Sequence, residues 1–194
     1  MTTLSFLKQS PVHKGFTLIE TLIAIAVLSL AVTGPMTIAQ KSLSSAMYAR
    51  DQITAYYLAQ DAIEYVRNVR DSNRLHRNNG NPATDWLTGG ANGLTLSECI
   101  LGSPCVINTN LAANESDAIR SFVPGNDRLY FDPVTSIYSH QNVSGSIATQ
   151  FSRQIIITQP VLGREADISV AVSWKPNTFS AVRKITETER IFNF

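Results

Sequence analysis

Hydrophobic and polar positions divide this chain sharply. From Phe16 to Ala39 it reads FTLIETLIAIAVLSLAVTGPMTIA, carrying one formal charge, Glu20. A bilayer core of ~30 Å takes roughly 20 apolar helical residues, so this run is long enough to span. It is interrupted at Gly34-Pro35, where a missing N–H and a steric clash predict a kink of the sort membrane helices tolerate. Helical patterning resumes beyond it. Leu43, Met47, Ile53, Tyr57, Leu58, Ala62, Val66 and Val69 recur at short helical spacings as a winding apolar stripe. Lys41, Arg50, Asp51, Asp61, Glu64 and Arg67 fall largely off that stripe. With no Gly or Pro from 36 to 71, a single helix of ~80 Å is predicted from Phe16 to Arg70, at 1.5 Å per residue.

The pattern then changes. Residues 72–127 are rich in Asn and Gly, which predicts a loop-rich connecting region. Within it, Asp85-Trp86-Leu87 is expected to form a short turn that docks Trp86 on the core. Strand signals begin at Arg128: LYFD, then Ile137-Tyr138, then Phe151–Gln159, ended by Pro160 and Gly163. Glu165–Trp174 alternates with period two, placing Ile168, Val170, Val172 and Trp174 on one face. A turn at Lys175-Pro176-Asn177 leads into 181–194, whose Lys184, Glu187, Glu189 and Arg190 suit an edge strand, with Ile191, Phe192 and Phe194 anchoring the end. The expected fold class is α+β. A long N-terminal helix, membrane-spanning over 16–39 and amphipathic over 40–71, packs on a three- or four-stranded antiparallel meander over 128–194.

Charge adds orientation. The 194 residues hold 16 basic and 15 acidic side chains. Residues 1–15 carry Lys8 and Lys14 and no acid, so the chain without them has 14 basic and 15 acidic groups. Basic residues ahead of an apolar run keep that end cytoplasmic, and the large C-terminal part then faces outward. Near-neutral charge gives no general reason to expect nucleic acid as a partner. Arg67, Arg70, Arg74, His76 and Arg77 do cluster near the helix end. Their simplest role is to complement the helix dipole on a solvated face.

Outside the cytoplasm, Cys99 and Cys105, with a Gly102-Ser103-Pro104 turn between them, are expected to be oxidised to a disulfide stapling a small hairpin. Closing so short a loop stabilises by roughly 2–3 kcal/mol in the chain-entropy model. A metal site would need more ligands than the three histidines, His13, His76 and His140, supply. No recognised catalytic or cofactor motif is present, so no catalytic residue, cofactor or metal is expected. His140 is read as a solvated turn imidazole. Asp127 and Asp132 are read as turn aspartates, without the spacing of an EF-hand calcium loop.

The N-terminus is the informative stretch. An export signal is cut after its apolar run, yet here the small residue suited to processing, Gly15 behind Lys14, precedes it. Cutting there would strip residues 1–15 and leave the greasy helix attached. Gly15-Phe16-Thr17-Leu18-Ile19-Glu20 followed by that helix resembles type IV prepilins and the pseudopilins of type II secretion. The match runs from Lys14 to about Asp71.

The resemblance implies a pilin-like fold and a non-enzymatic subunit, the C-terminal half being similar to minor pilins only loosely. A prepilin peptidase/methyltransferase would cleave after Gly15 and methylate Phe16. Implied partners are other pilin subunits, an inner-membrane assembly platform and, before assembly, membrane lipid. The implied location is the inner membrane, single-pass, followed by an extracellular pilus or a periplasmic pseudopilus. The resemblance also implies local melting of the helix near Pro35 in a filament. In residue terms an inert kink serves equally. Glu20 would be the family's acidic residue. A carboxylate inside hydrocarbon costs about 2.5–3.5 kcal/mol near a helix centre, and the cleaved Phe16 ammonium of a neighbouring subunit would offset that cost. The plainer alternative is a helix-end acid favoured by the dipole. From another class, the rival is a tethered extracytoplasmic enzyme or sensor.

Overall fold

A computed structural model describes residues 15–90, 94–100, 102–111, 117–176 and 181–193. The expected leader is therefore described only at Gly15, and Asn177 and Phe194 lie outside the described residues. The chain divides into two compact units, Met1–Tyr48 and Ala49–Phe194. Helix α1, Leu18–Asn78, contributes to both.

In the first unit every described side chain is exposed, and the apolar run is long enough to cross a membrane. Its hydroxyls bond to their own helix. Thr21 donates to the Leu18 carbonyl at 2.8 Å, Ser29 to Ile25 at 2.8 Å and Thr33 to Ser29 at 2.7 Å. Such back-bonding satisfies polar groups internally, as a lipid-facing helix requires. The α-helix continues through Gly34 and Pro35, and Thr37 donates its hydroxyl to the Gly34 carbonyl at 2.8 Å.

In the second unit, α1 buries Ala55, Leu58, Ala59, Ala62, Ile63, Val66 and Val69. This stripe is narrower than the sequence pattern implied. Ile53 and Tyr57 are 57% and 67% exposed, and small alanines fill the contact face instead. The helix also continues past Asp71 to Asn78, because no breaker intervenes before Gly80, whose φ of 99° suits a helix end. Buried Asn73 helps fix this extension. Its Nδ2 donates to the Leu94 carbonyl at 2.7 Å, and its Oδ1 accepts the Leu94 N–H at 2.8 Å.

Among the described residues the main sheet has five antiparallel strands rather than three or four. β1 (Cys105–Ile107), β2 (Ile119–Ser121), β6 (Phe151–Val161), β7 (Glu165–Trp174) and β8 (Arg183–Phe192) lie in the order β2-β1-β6-β7-β8. The meander β6-β7-β8 matches the expectation, including β8 at the edge. β1 and β2 come from the segment read as loops, and three residues are too few to show a period. Pro160 does not end β6. A register shift between Thr158 and Val161 accommodates it. A second sheet, order β4-β3-β5, comprises β3 (Tyr130–Asp132), β4 (Ile137–Ser139) and β5 (Ile147–Ala148).

Cys99 and Cys105 are joined, with Cα atoms 4.9 Å apart. The bond does not close a hairpin. It ties a one-turn helix, α2 (Ser97–Ile100), to β1, and Gly102 turns between them with φ 78°. Trp86 is buried as expected. The Asp85 carboxylate caps its turn by accepting the N–H groups of Leu87 at 2.9 Å and Thr88 at 2.8 Å. Burial pushes the Asp85 carboxyl upward, but those bonds outweigh it and hold the group below its ordinary value.

Candidate functional site

Two regions hold the chemistry, and the N-terminal one begins with Thr17. Its carbonyl accepts the Thr21 N–H at 3.2 Å, and its hydroxyl accepts the Glu20 N–H at 3.3 Å. Thr17 is therefore the N-cap, and Thr-x-x-Glu is the spacing of a capping box. The sequence reading missed this cap although its signature is local. The consequence lies upstream: Gly15 and Phe16 stay outside the helix and exposed. A Cβ built on Gly15 would meet nothing within 4 Å. The Gly15–Phe16 peptide is thus open and non-helical, while Glu20 lies one turn inside α1. Among the described residues the Glu20 carboxylate has no hydrogen-bond or ionic partner. Gly34 and Pro35 lie farther along the same helix.

The second region is a polar cluster in the head, centred on Arg153 of β6. Its position inside the alternation Phe151, Arg153, Ile155, Ile157 turns it toward α1, where it is fully buried. Nη1 donates to the Leu58 carbonyl at 2.8 Å and to Asp61 Oδ2 at 2.9 Å, and Nη2 donates to the Ile107 carbonyl at 2.8 Å. Thr109 donates its hydroxyl to the same Asp61 oxygen at 2.7 Å. One guanidinium thus ties helix, central strand and β1 together. Burial lowers the Arg153 pKa, and Asp61 acts against that shift. The sequence did contain the signal, a charge in the inward register of an apolar strand.

His140 corrects the turn-imidazole reading. Both ring nitrogens are buried, and the Arg128 backbone is the one hydrogen-bonding group among the described residues that acts on them, too weakly to satisfy either. Burial, then the neighbouring Arg153 charge, depress its pKa to about 3. Asp127 is likewise not a solvated turn residue: its buried carboxylate pairs with Arg120 and accepts the Val123 N–H. Asp132 does sit in a turn, where the Thr135 hydroxyl at 2.7 Å and the Val134 N–H at 2.9 Å lower its pKa. Among the described residues no group of three or more His, Cys, Asp or Glu is placed to hold a metal.

The basic cluster near the helix end is largely engaged within the fold. Arg67 makes a two-pronged contact with Glu189 of β8, at 2.7 and 2.6 Å, and pairs with Glu64. Arg70 Nε donates to Asp71 at 2.8 Å, and Arg77 Nε to the Thr84 carbonyl at 3.0 Å. These contacts hold Arg67, Arg70 and Arg77 to groups of the fold itself.

Residues 11–34 match the family model described as the prokaryotic N-terminal methylation motif, the signature of type IV prepilins and pseudopilins. The matched span contains Gly15, Phe16, Thr17, Glu20 and Gly34. Neither the curated proteins nor the solved structures hold a match to the chain.

Proposed function

We propose that this chain is a structural subunit, specifically a minor pilin, of a type IV pilus-like filament. The single observation that carries the reading is the arrangement within the matched motif. An open Gly15–Phe16 peptide is followed by a capped helix, an unpartnered acid one turn in, and a fully exposed apolar rod. A peptidase needs an extended, accessible bond, and Thr17 keeps the helix from reaching it. Cleavage after Gly15 removes the basic leader and leaves the rod in the inner membrane, with the head outside the cytoplasm. The new Phe16 amino group is then methylated by the prepilin peptidase/methyltransferase.

A subunit stored this way exposes its rod to lipid, and assembly exchanges lipid for other rods. Glu20 meets the Phe16 ammonium of a neighbouring subunit, cationic at neutral pH, and in hydrocarbon the pair fixes which subunits sit in register. An inner-membrane platform would carry out that exchange. A type II secretion pseudopilin would share every one of these steps, and imaging a surface filament against a short periplasmic one separates the two. Mass analysis of the N-terminal peptide is the test. The mature protein is expected to begin with N-methylated Phe16. A Glu20→Ala variant is expected to show the same cleavage but to be missing from sheared filaments. A cellular protein still starting at Met1, or cut beyond Ala39, would overturn the proposal.

A further inference from the structure

We propose that a cleft on the head is a socket for Arg50 of a second copy of this chain. Arg50 lies in the second unit, exposed, with no side-chain partner among the described residues. Ile53 and Tyr57, three and seven positions on, share its helix face, and both are exposed. Ala55, Leu58, Ala59 and Ala62 occupy the core-facing side of the same helix segment, so this apolar face with a cation in it is left uncovered by the head. The sequence carries the same seven-residue phase back through Leu43 and Met36, the spacing with which one helix meets another.

The cleft beside this face has a volume of about 520 Å³ and is lined by Tyr57, Asp61, Asn110, Ser136 and Tyr138, among others. Among the described residues Asp61 is its only carboxylate, and no Lys or Arg lines it. That carboxylate is held in place by Arg153 and Thr109, yet its side chain is 50% exposed. A fixed acceptor beside tyrosine rings suits a planar guanidinium, which donates to the carboxylate and stacks on the ring.

Charge complementarity selects a copy of the chain itself as the source of that guanidinium. Two parallel helices in register would set Arg50 against Arg50. Sliding one by eleven residues, three helical turns or about 16 Å, brings Arg50 of one copy to Asp61 of the other on the same face. Each pair then engages one Arg50 and leaves the other available for a further contact.

This inference rests on the filament reading for its parallel orientation, and the experiment separates the two. Two differently tagged full-length copies that both keep Arg50 are expressed together in whole cells, one with Met47→Cys, exposed one turn before Arg50 on the same face, and one with Asn110→Cys, and treated with a short bismaleimide. The expected result is a heterotypic cross-link at least fivefold stronger than in two controls. One control has Met47→Cys in both copies, and the other pairs Ser45→Cys with Asn110→Cys. Arg50→Glu, placed at an exposed position that the fold does not use, is expected to lower co-purification of the tagged copies severalfold. Cross-linking that favours the in-register pair, or fails to distinguish position 47 from 45, overturns the socket. N-terminal masses are read from the same samples. An uncut chain with a strong heterotypic cross-link sinks the filament reading alone, and a cut, methylated chain without it sinks the socket alone.

Discussion

Asp61→Ala is expected to destabilise the head by about 3–5 kcal/mol, the range found when one partner of a buried ion pair is removed. The reason lies in Arg153 rather than in Asp61. The aspartate is half exposed and can be solvated by water, whereas the guanidinium is fully buried and cannot shed its charge at any working pH. Without Asp61 its remaining acceptors are the Leu58 and Ile107 carbonyls, both neutral. Thr109 would lose its acceptor as well. Urea denaturation of the detergent-solubilised chain measures the loss. The informative partner is the double variant Asp61→Ala, Arg153→Met, which keeps an apolar side chain of similar length in the slot and removes the stranded charge. It is expected to recover most of the loss, because a well-packed hydrophobic replacement of a buried pair is often neutral or better. Equal instability of single and double variants would mean that the slot needs a guanidinium as a structural bridge, not merely a neutralised one.

That pair also marks the boundary of what the amino-acid order discloses. The membrane-length run, the alternation over Glu165–Trp174 and the Gly15–Phe16–Glu20 spacing were legible because each is complete within a few consecutive residues. The Asp61–Arg153 contact joins positions 92 apart, and only the folded topology brings them together. The helix stripe misled for a different reason. Leu43, Met47, Ile53 and Tyr57 are large and drew the pattern toward themselves, yet all four are exposed. Ala55, Ala59 and Ala62 make the close contact with the head because small side chains let a helix approach a sheet. The cysteines were read as a pair, but the short helix α2 that one of them anchors spans a single turn, too brief to announce itself. Thr17 was the opposite case: its capping spacing lay in plain view beside Glu20 and was passed over in favour of the acid.

Head stability is expected to fall by about 2 kcal/mol between pH 7 and pH 5, with His140 as the cause. A group whose folded pKa is depressed stays neutral in the fold but takes up a proton when unfolded. For His140 the unfolded value is near 6.5 and the folded value about 3. Its contribution is therefore complete above pH 6.5 and is lost progressively as pH drops toward 3. At pH 5 the unfolded chain gains about 1.5 pH units of protonation free energy, roughly 2 kcal/mol at 1.36 kcal/mol per unit. The carboxylates with lowered values, Asp85, Asp132 and Asp167, respond lower down, below their unfolded value of 3.8, leaving pH 5–6.5 as the histidine's window. The groups acting on the ring from neighbouring elements are Arg153, Asp127, Arg120 and the Arg128 backbone. The Arg153 and Arg120 charges oppose protonation, and Asp127 and the Arg128 backbone favour it without prevailing. His140→Phe keeps a ring in the same space, removes two buried and poorly satisfied nitrogens, and abolishes the charge change. Urea midpoints of wild type and variant, measured at pH 7 and pH 5, are expected to diverge as the solution is acidified, with the variant the more stable at pH 5. Parallel shifts in both proteins would assign the acid sensitivity elsewhere and place the His140 ring in water.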